Sequence, residues 1–320
     1  MNSPLYHVKI LFIILMEKIR YYSLNNYFKE TFGERVHRIP VDAGFSCPNR
    51  DGTKGTGGCI YCDELGSGAG FIKREEEVVE QVGSGIENIN KRFNVNKYLV
   101  YFQSFTNTYG PLSKLEKLYK SVIDIENVIG ISVGTRPDCV DEDVIGILSE
   151  IAKTKMVWIE YGLQSTHDKT LELINRGHSY SDFLKAVEIT KNKGIKILAH
   201  IIVGLPGETR EDMMSTSRET ARLKLDGLKI HSLYIVKGTE LEKMYNQKKF
   251  KLLTEDEYIQ IAADILEILP PNMVIHRLVG ECDRERLVAP DWSLKKNQIL
   301  NGINSELKRR GTKQGSRYKN

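Results

Sequence analysis

The chain has 320 residues, 41% of them hydrophobic and 28% charged, a balance that fits a soluble globular protein long enough for one large domain or two small ones. Five cysteines, an odd number gathered mostly on one side of the sequence, exclude the paired framework of a short secreted domain, so a reducing cytoplasm is the expected compartment. The net charge of +4 excludes a uniformly basic protein and leaves open where the surplus sits.

In chain order, the first feature is an apolar run, Val8 to Met16. It is too short to span a bilayer, which takes roughly 20 residues, and no small-residue cleavage site precedes the charged "EKIRYY". It reads as a docked helix or as an extension ahead of a start at Met16, within an N-terminal extension of residues 1–33. Short apolar, β-branched stretches follow at 36–45, 97–105, 128–134, 156–164, 195–204, 228–236 and, more weakly, 273–279. Between them lie segments of helical period at 74–90, 112–125, 141–153, 166–175 with 181–193, 210–224 and 254–268. Ser165 with Asp168, Ser179 with Asp182 and Thr209 with Asp212 have the spacing of capping boxes at three helix starts.

Strands alternating with helices predict parallel pairing through right-handed crossovers, in a doubly wound sheet or a complete or partial αβ barrel. Near-continuous apolar runs imply strands buried on both faces. The chemistry then belongs on loops at the C-terminal ends of the strands. The barrel domain is expected over 34–280, followed by a polar, helix-ending appendage and a basic tail over 281–320. Within 306–320, Lys308, Arg309, Arg310, Lys313, Arg317 and Lys319 face only Glu306, so the charge surplus sits here. Such a tail is an electrostatic footprint for a polyanion or a frayed, solubilising end.

The segment "CPNRDGTKGTGGCIYC" places Cys47, Cys59 and Cys62 in a glycine-rich loop just past the first strand. The close pair Cys59/Cys62 can chelate one centre and Cys47 closes a larger ring. Gly52, Gly55, Gly57 and Gly58 let backbone amides approach a bound cluster. A structural zinc wants four ligands, and the candidate fourth, His37, lies inside a predicted strand. Inert cysteines prefer burial to a surface loop. The remaining reading is an iron-sulfur cluster with one iron left open for a substrate.

With Tyr61 before its last cysteine, this loop resembles that of the radical SAM superfamily. The usual spacing there is C-x3-C-x2-C; the longer first gap here is similar to that of the Elongator-catalytic-subunit-like branch. "NYFKETFGERVHRIPVDAGFSCPNRDGTKGTGGCIYC" looks very like the YhcC/YtqA-type iron-sulfur proteins, and the resemblance runs from about Arg20 to the end of the predicted barrel. It implies a partial (β/α)6-type TIM barrel, with Cys47, Cys59 and Cys62 holding a 4Fe-4S cluster whose fourth iron binds S-adenosyl-L-methionine (SAM). An external one-electron reductant of the flavodoxin or ferredoxin type would feed that cluster, SAM would be cleaved to a 5'-deoxyadenosyl radical, and that radical would take hydrogen from an unactivated carbon.

Other residues fit the same picture. Gln103 and Thr106 end the second strand, where the superfamily often holds the SAM amino group, although polar residues there are also ordinary turn-formers. Arg136, at the tip of the third strand, is placed to meet a carboxylate or a substrate anion. Glu160, Gly162 and Gln164 share one face of the fourth strand, and a carboxylate in an apolar strand is costly unless paired or working; "EYGLQS" also matches the family's fourth-strand motif. Gly204, in the turn after the fifth strand, allows close packing against adenine or ribose, or is a plain turn glycine. Arg176, His178 and Lys237 are substrate candidates, and His200 reads as a satisfied core histidine. Cys139 and Cys282 stand apart with no partner.

The branch implies action on the wobble uridine of tRNA, and the basic tail agrees with that partner. A small-molecule or protein substrate is the alternative, and a non-catalytic zinc or nucleic-acid binding module the second. No membrane partner is expected.

Overall fold

The computed structural model describes residues 20–64, 66 and 76–319; the apolar run at 8–16 lies outside them. Helix α1, Leu24–Phe32, starts at Ser23, whose side chain accepts from the Asn26 amide, and ends on the left-handed Gly33. Strand β1 is His37–Val41 and, after the cysteine loop, α2 is Val78–Asn90. Next come β2 Tyr98–Phe102, α3 Leu112–Ile123, β3 Val128–Thr135, α4 Glu142–Ala152 and β4 Met156–Gln164. After α5 Asp168–Leu173 and α6 Tyr180–Thr190 follow β5 Lys196–Val203, α7 Arg210–Arg222 and β6 Gly227–Ser232. The chain closes with β7 Ile235–Val236, α8 Glu240–Asn246, α9 Glu255–Ile268, β8 Val274–Arg277, β9 Leu287–Ala289 and α10 Lys296–Arg309.

Seven strands form one parallel sheet in the order β1-β2-β3-β4-β5-β6-β8, so the fold is the expected partial αβ barrel with the weakly marked stretch at 273–279 as its seventh strand. The sheet curls: Lys229 of β6 reaches Tyr101 of β2, and Arg38 of β1 and His276 of β8 both approach Glu160 of β4. The outer face is covered by the helices over the main core, which includes Leu115, Leu148, Phe183 and Ile261. Inside, a lower layer of Leu99, Trp158, Leu198 and Val274 is closed by Leu24 and Phe28 of α1.

Three expectations need correcting. The stretch 228–236 is two strands, because Leu233 turns away with its amide on the Val203 carbonyl and β7 pairs antiparallel with β9. Ser165 does not cap α5. His167 holds the N-cap position, while the Ser165 hydroxyl reaches Glu208 and Asp168 accepts from the Tyr180 amide; the boxes at Ser179 and Thr209 do form. The tail is folded, not frayed. Gln314 is buried, its side-chain amide donating to the Pro270 and Met273 carbonyls while its oxygen accepts from the Tyr22 amide. Arg310 pairs with Asp264, Glu267 and Glu306, and Arg317 with Glu267. Among the described residues no helix is long and apolar enough to cross a membrane.

Candidate active site

The eleven residues between Cys47 and Cys59 fold back on themselves. The Cys47 carbonyl accepts from the Arg50 and Asp51 amides, the Pro48 carbonyl from Lys54 and Gly55, and the Asn49 carbonyl from Gly58 at 2.9 Å. Gly57 and Gly58 take φ of 78° and 77°, conformations that favour glycine. The excursion therefore returns Cys59 to the neighbourhood of Cys47, and a tight turn from the Cys62 amide to the Cys59 carbonyl brings in the third thiol. Asn49 and Asn175 clamp the loop to the segment after α5: Asn49 Nδ2 donates to the Asn175 carbonyl at 2.6 Å and Asn175 Nδ2 to the Gly58 carbonyl at 2.7 Å.

All five cysteines are free, with Cys47 and Cys59 buried. A hydrogen bond from Cys62, with Arg176 nearby, holds the Cys59 thiol well below its usual range, and Cys62 is raised in return. Arg176 Nη1 lies 3.7 Å from Cys59 Sγ and Asn49 Nδ2 lies 3.9 Å from it. The rest of Arg176 donates to the Gly162 carbonyl, at 3.2 and 2.8 Å. That carbonyl is free because the β4–β5 register breaks between Tyr161 and Gln164, where Gln164 takes φ of 71°. His178 Nε2 donates to the same oxygen at 3.1 Å. Burial, with Arg176 and Arg136 beside it, pushes His178 down to about 3, so its ring is neutral.

The cavity at the C-terminal ends of the strands is lined by the three cysteines together with Gln103, Thr106, Arg136, Glu160, Gln164 and Arg176. Most of the predicted site residues therefore meet. Their free valences differ. Thr106 Oγ1 is buried without a partner among the described residues, whereas Arg136 is spent on Asp138 and on the Arg176 carbonyl. Glu160 is fully buried, its Oε1 accepting from Ser132 and its Oε2 from His200 and Lys229. Burial alone would raise Glu160; Lys229 and His200 instead hold it well below the usual carboxylate range.

Three predicted residues do not line the cavity: His178 is held on the Gly162 carbonyl outside the lining, and two lie elsewhere. Gly204, at φ 96°, faces Leu253 and Leu233, and Lys237 reaches out to the Glu285 carbonyl. Sequence reasoning missed Asn49, Arg38, Tyr101 and Lys229. Only Lys229 left a signal, since with His231 it sets two polar side chains at period two in an apolar run.

Comparison with known proteins identifies the group. The Radical SAM superfamily model matches residues 51–219, and the Radical_SAM C-terminal domain matches 225–309. The chain belongs to the radical SAM superfamily. It is 40% identical over 296 residues to the protein YtqA of Bacillus subtilis, covering 92% of each chain. To YhcC of Escherichia coli K12 it is 36% identical over 262 residues, covering 82% of this chain and 84% of that one. A solved archaeal Elp3 from Methanocaldococcus infernus superposes with a TM-score of 0.64 at 19% identity, covering 87% of this chain and 64% of that one, a likeness of fold. These relatives group the chain with YtqA and YhcC, and its fold is like that of the archaeal Elp3. A tRNA uridine(34) acetyltransferase of Methanocaldococcus jannaschii is 30% identical over 145 residues, which are 44% of this chain and 26% of that protein.

The protein is thus a radical SAM enzyme, with a 4Fe-4S cluster and SAM as cofactors. The site suits both. Three thiols of one loop line a single cavity, two buried guanidinium groups, Arg136 and Arg176, line it with them and can balance thiolate charge, and the Thr106 hydroxyl, without a partner among the described residues, belongs to the same lining.

Proposed function

We propose that the chain acts on tRNA, in the modification of the wobble uridine, in a reducing cytoplasm and with electrons from a flavodoxin or ferredoxin. The observation that carries this reading is the 145-residue similarity to the tRNA uridine(34) acetyltransferase. In this reading Cys47, Cys59 and Cys62 hold three irons, and the bound cluster with SAM supplies the radical that takes a hydrogen atom from the substrate. Arg176 and Asn49 donate toward Cys59 and fix its orientation. Gln103, Thr106 and Gln164 offer the cavity polar groups that have no hydrogen-bond partner among the described residues, and these take the polar ends of SAM. Arg136 acts indirectly, holding the Arg176 segment in place.

The tail supports tRNA binding less than its composition suggests. Arg309, Arg310 and Arg317 are paired with acidic groups, which leaves Lys308, Lys313 and Lys319 for phosphates. The test is anaerobic reconstitution with iron and sulfide, reduction with dithionite and assay of 5'-deoxyadenosine from SAM. Cys47→Ala, Cys59→Ala and Cys62→Ala should each lose product and the full iron complement, whereas Cys139→Ala should keep both. Nucleoside analysis of tRNA from cells lacking the protein should then show a missing wobble-uridine modification. Unchanged tRNA would overturn the substrate assignment.

A further inference from the structure

The cavity does not end at the cysteines. Tyr101, Glu160 and His200 line it and also belong to a polar layer inside the barrel that is rich in donors and short of acceptors. Glu160 is the carboxylate at its centre, and both its oxygens are occupied. Two cations face it: Lys229, which also donates to the Tyr101 hydroxyl at 3.0 Å and keeps a third N–H, and Arg38, whose Nη1 stands 3.7 Å from Glu160 Oε1 without a hydrogen bond. His231 Nε2 and both ring nitrogens of His276 are also buried and have no partner among the described residues. Burial holds both rings well below the usual histidine range, so each is neutral with one N–H and one acceptor nitrogen, and the surplus of donors rests on Arg38 Nη1 and the third N–H of Lys229.

Buried donors in this number cost free energy unless something accepts from them. The layer beneath, with Leu99, Trp158, Leu198 and Val274, shows that the same strands can fill the interior with apolar groups. β1 and β8 are the two edges of the sheet and do not pair with each other, and the Tyr22–Ser23 segment lies along β8 at Ile275. Arg38 on β1 and Arg277 on β8 stand at those edges, with side chains 21% and 26% exposed.

We propose that this layer binds an oxyanion group of the substrate, a phosphate or a carboxylate, with Arg38, Lys229 and His231 donating to it and Arg277 flanking its entry between β1 and β8. The spare guanidinium and ammonium donors suit such a group, which would bring the missing acceptors and offset the excess positive charge. This rests on the reading of the cavity as the chamber where SAM and substrate meet, and it adds the chemistry by which substrate is recognised.

Thermal unfolding of the cluster-loaded protein tests the site without any turnover. Phosphate or acetate is raised at constant ionic strength set with chloride. A rise in the midpoint of roughly 2–4 °C is expected once the anion exceeds its dissociation constant about tenfold, growing with the logarithm of its concentration beyond that. A response to phosphate alone assigns a phosphate ester, and one to acetate alone a carboxylate. Arg38→Gln and Arg277→Gln should each lose the rise. Arg38 also stacks on Tyr101, so Arg277→Gln, nearer the surface, separates loss of the site from damage to the fold. No rise beyond that in chloride of equal ionic strength for the unaltered protein, or an undiminished one in both variants, overturns the proposal. So does a response that SAM reproduces and then abolishes, because the anion would then be the SAM carboxylate. A protein that binds the anion yet leaves SAM intact would refute the functional reading and spare this site.

Discussion

Two layers of side chains fill the inside of the same curled sheet, one pleat apart, and their chemistry is opposite. The lower is Leu99, Trp158, Leu198 and Val274, sealed by α1. Two residues further along the same strands stand Tyr101, Glu160, His200 and His276, with Lys229 two residues beyond Gly227. The lower layer is what the fold needs, since apolar burial at roughly 25 cal/mol per Å² stabilises the barrel without further conditions. The upper layer is stable only while every charge keeps its partner, and it lies where the cavity opens. The difference marks where folding ends and function begins.

The largest effect should come from Glu160→Gln, which leaves the buried Lys229 and the half-buried Arg38 without their counter-charge. A loss of roughly 3–5 kcal/mol in denaturant unfolding is expected. Adding Lys229→Met should restore a large part of it, and failure of that rescue would break the distinction between the layers. Leu198→Ala in the lower layer should cost roughly 2–5 kcal/mol, and no removal of a neighbouring charge should recover it.

The pH dependence is smaller and separates burial from exposure. Burial pushes His178 down to about 3 and His200 to about 4, both below the usual histidine value. At these two groups the folded protein therefore holds fewer protons than the unfolded chain, and their contribution to stability is complete above about pH 6.5 and falls as the pH drops toward those values. Each group contributes about 1.4 kcal/mol per pH unit. Urea unfolding at pH 7, 6 and 5 should show this decline, and His178→Asn should remove one group's share; an unchanged slope would mean that His178 titrates as if exposed. The smallest effect belongs to Lys237→Ala. Its amine lies outside the cavity, so SAM cleavage should stay within about twofold, as for an ordinary surface change. A larger loss would bring Lys237 back into the site.

Much of this was legible in the sequence. The alternation of apolar runs and helical periods marked the strands of the main sheet, and the spacing of Cys47, Cys59 and Cys62 marked a loop whose three thiols line one cavity. Gln103, Thr106, Arg136, Glu160 and Gln164, marked as strand-end or strand-face residues, meet at one cavity. The failures were of two kinds. Ser165 had the spacing of a cap, but a neighbouring carboxylate, Glu208, took its hydroxyl. The tail had the composition of a free polycation, yet half its cations found acidic partners on α9 and α10.

What the sequence determined by itself was local. Period two and period 3.6 fix which face of each strand or helix is apolar, and a close cysteine pair fixes a chelate, because both depend on residues a few positions apart. What only the tertiary structure decided was which inward-facing groups meet. Arg38, Tyr101, Glu160, Lys229 and His276 come from five strands and touch only because the sheet curls. Likewise the carbonyl of Gly162 receives Arg176 and His178 only because a register break on β4 turns it out of the ladder. Contacts between strands far apart in sequence leave no periodic trace in any one of them, so the working interior of the barrel could be read only once it was closed.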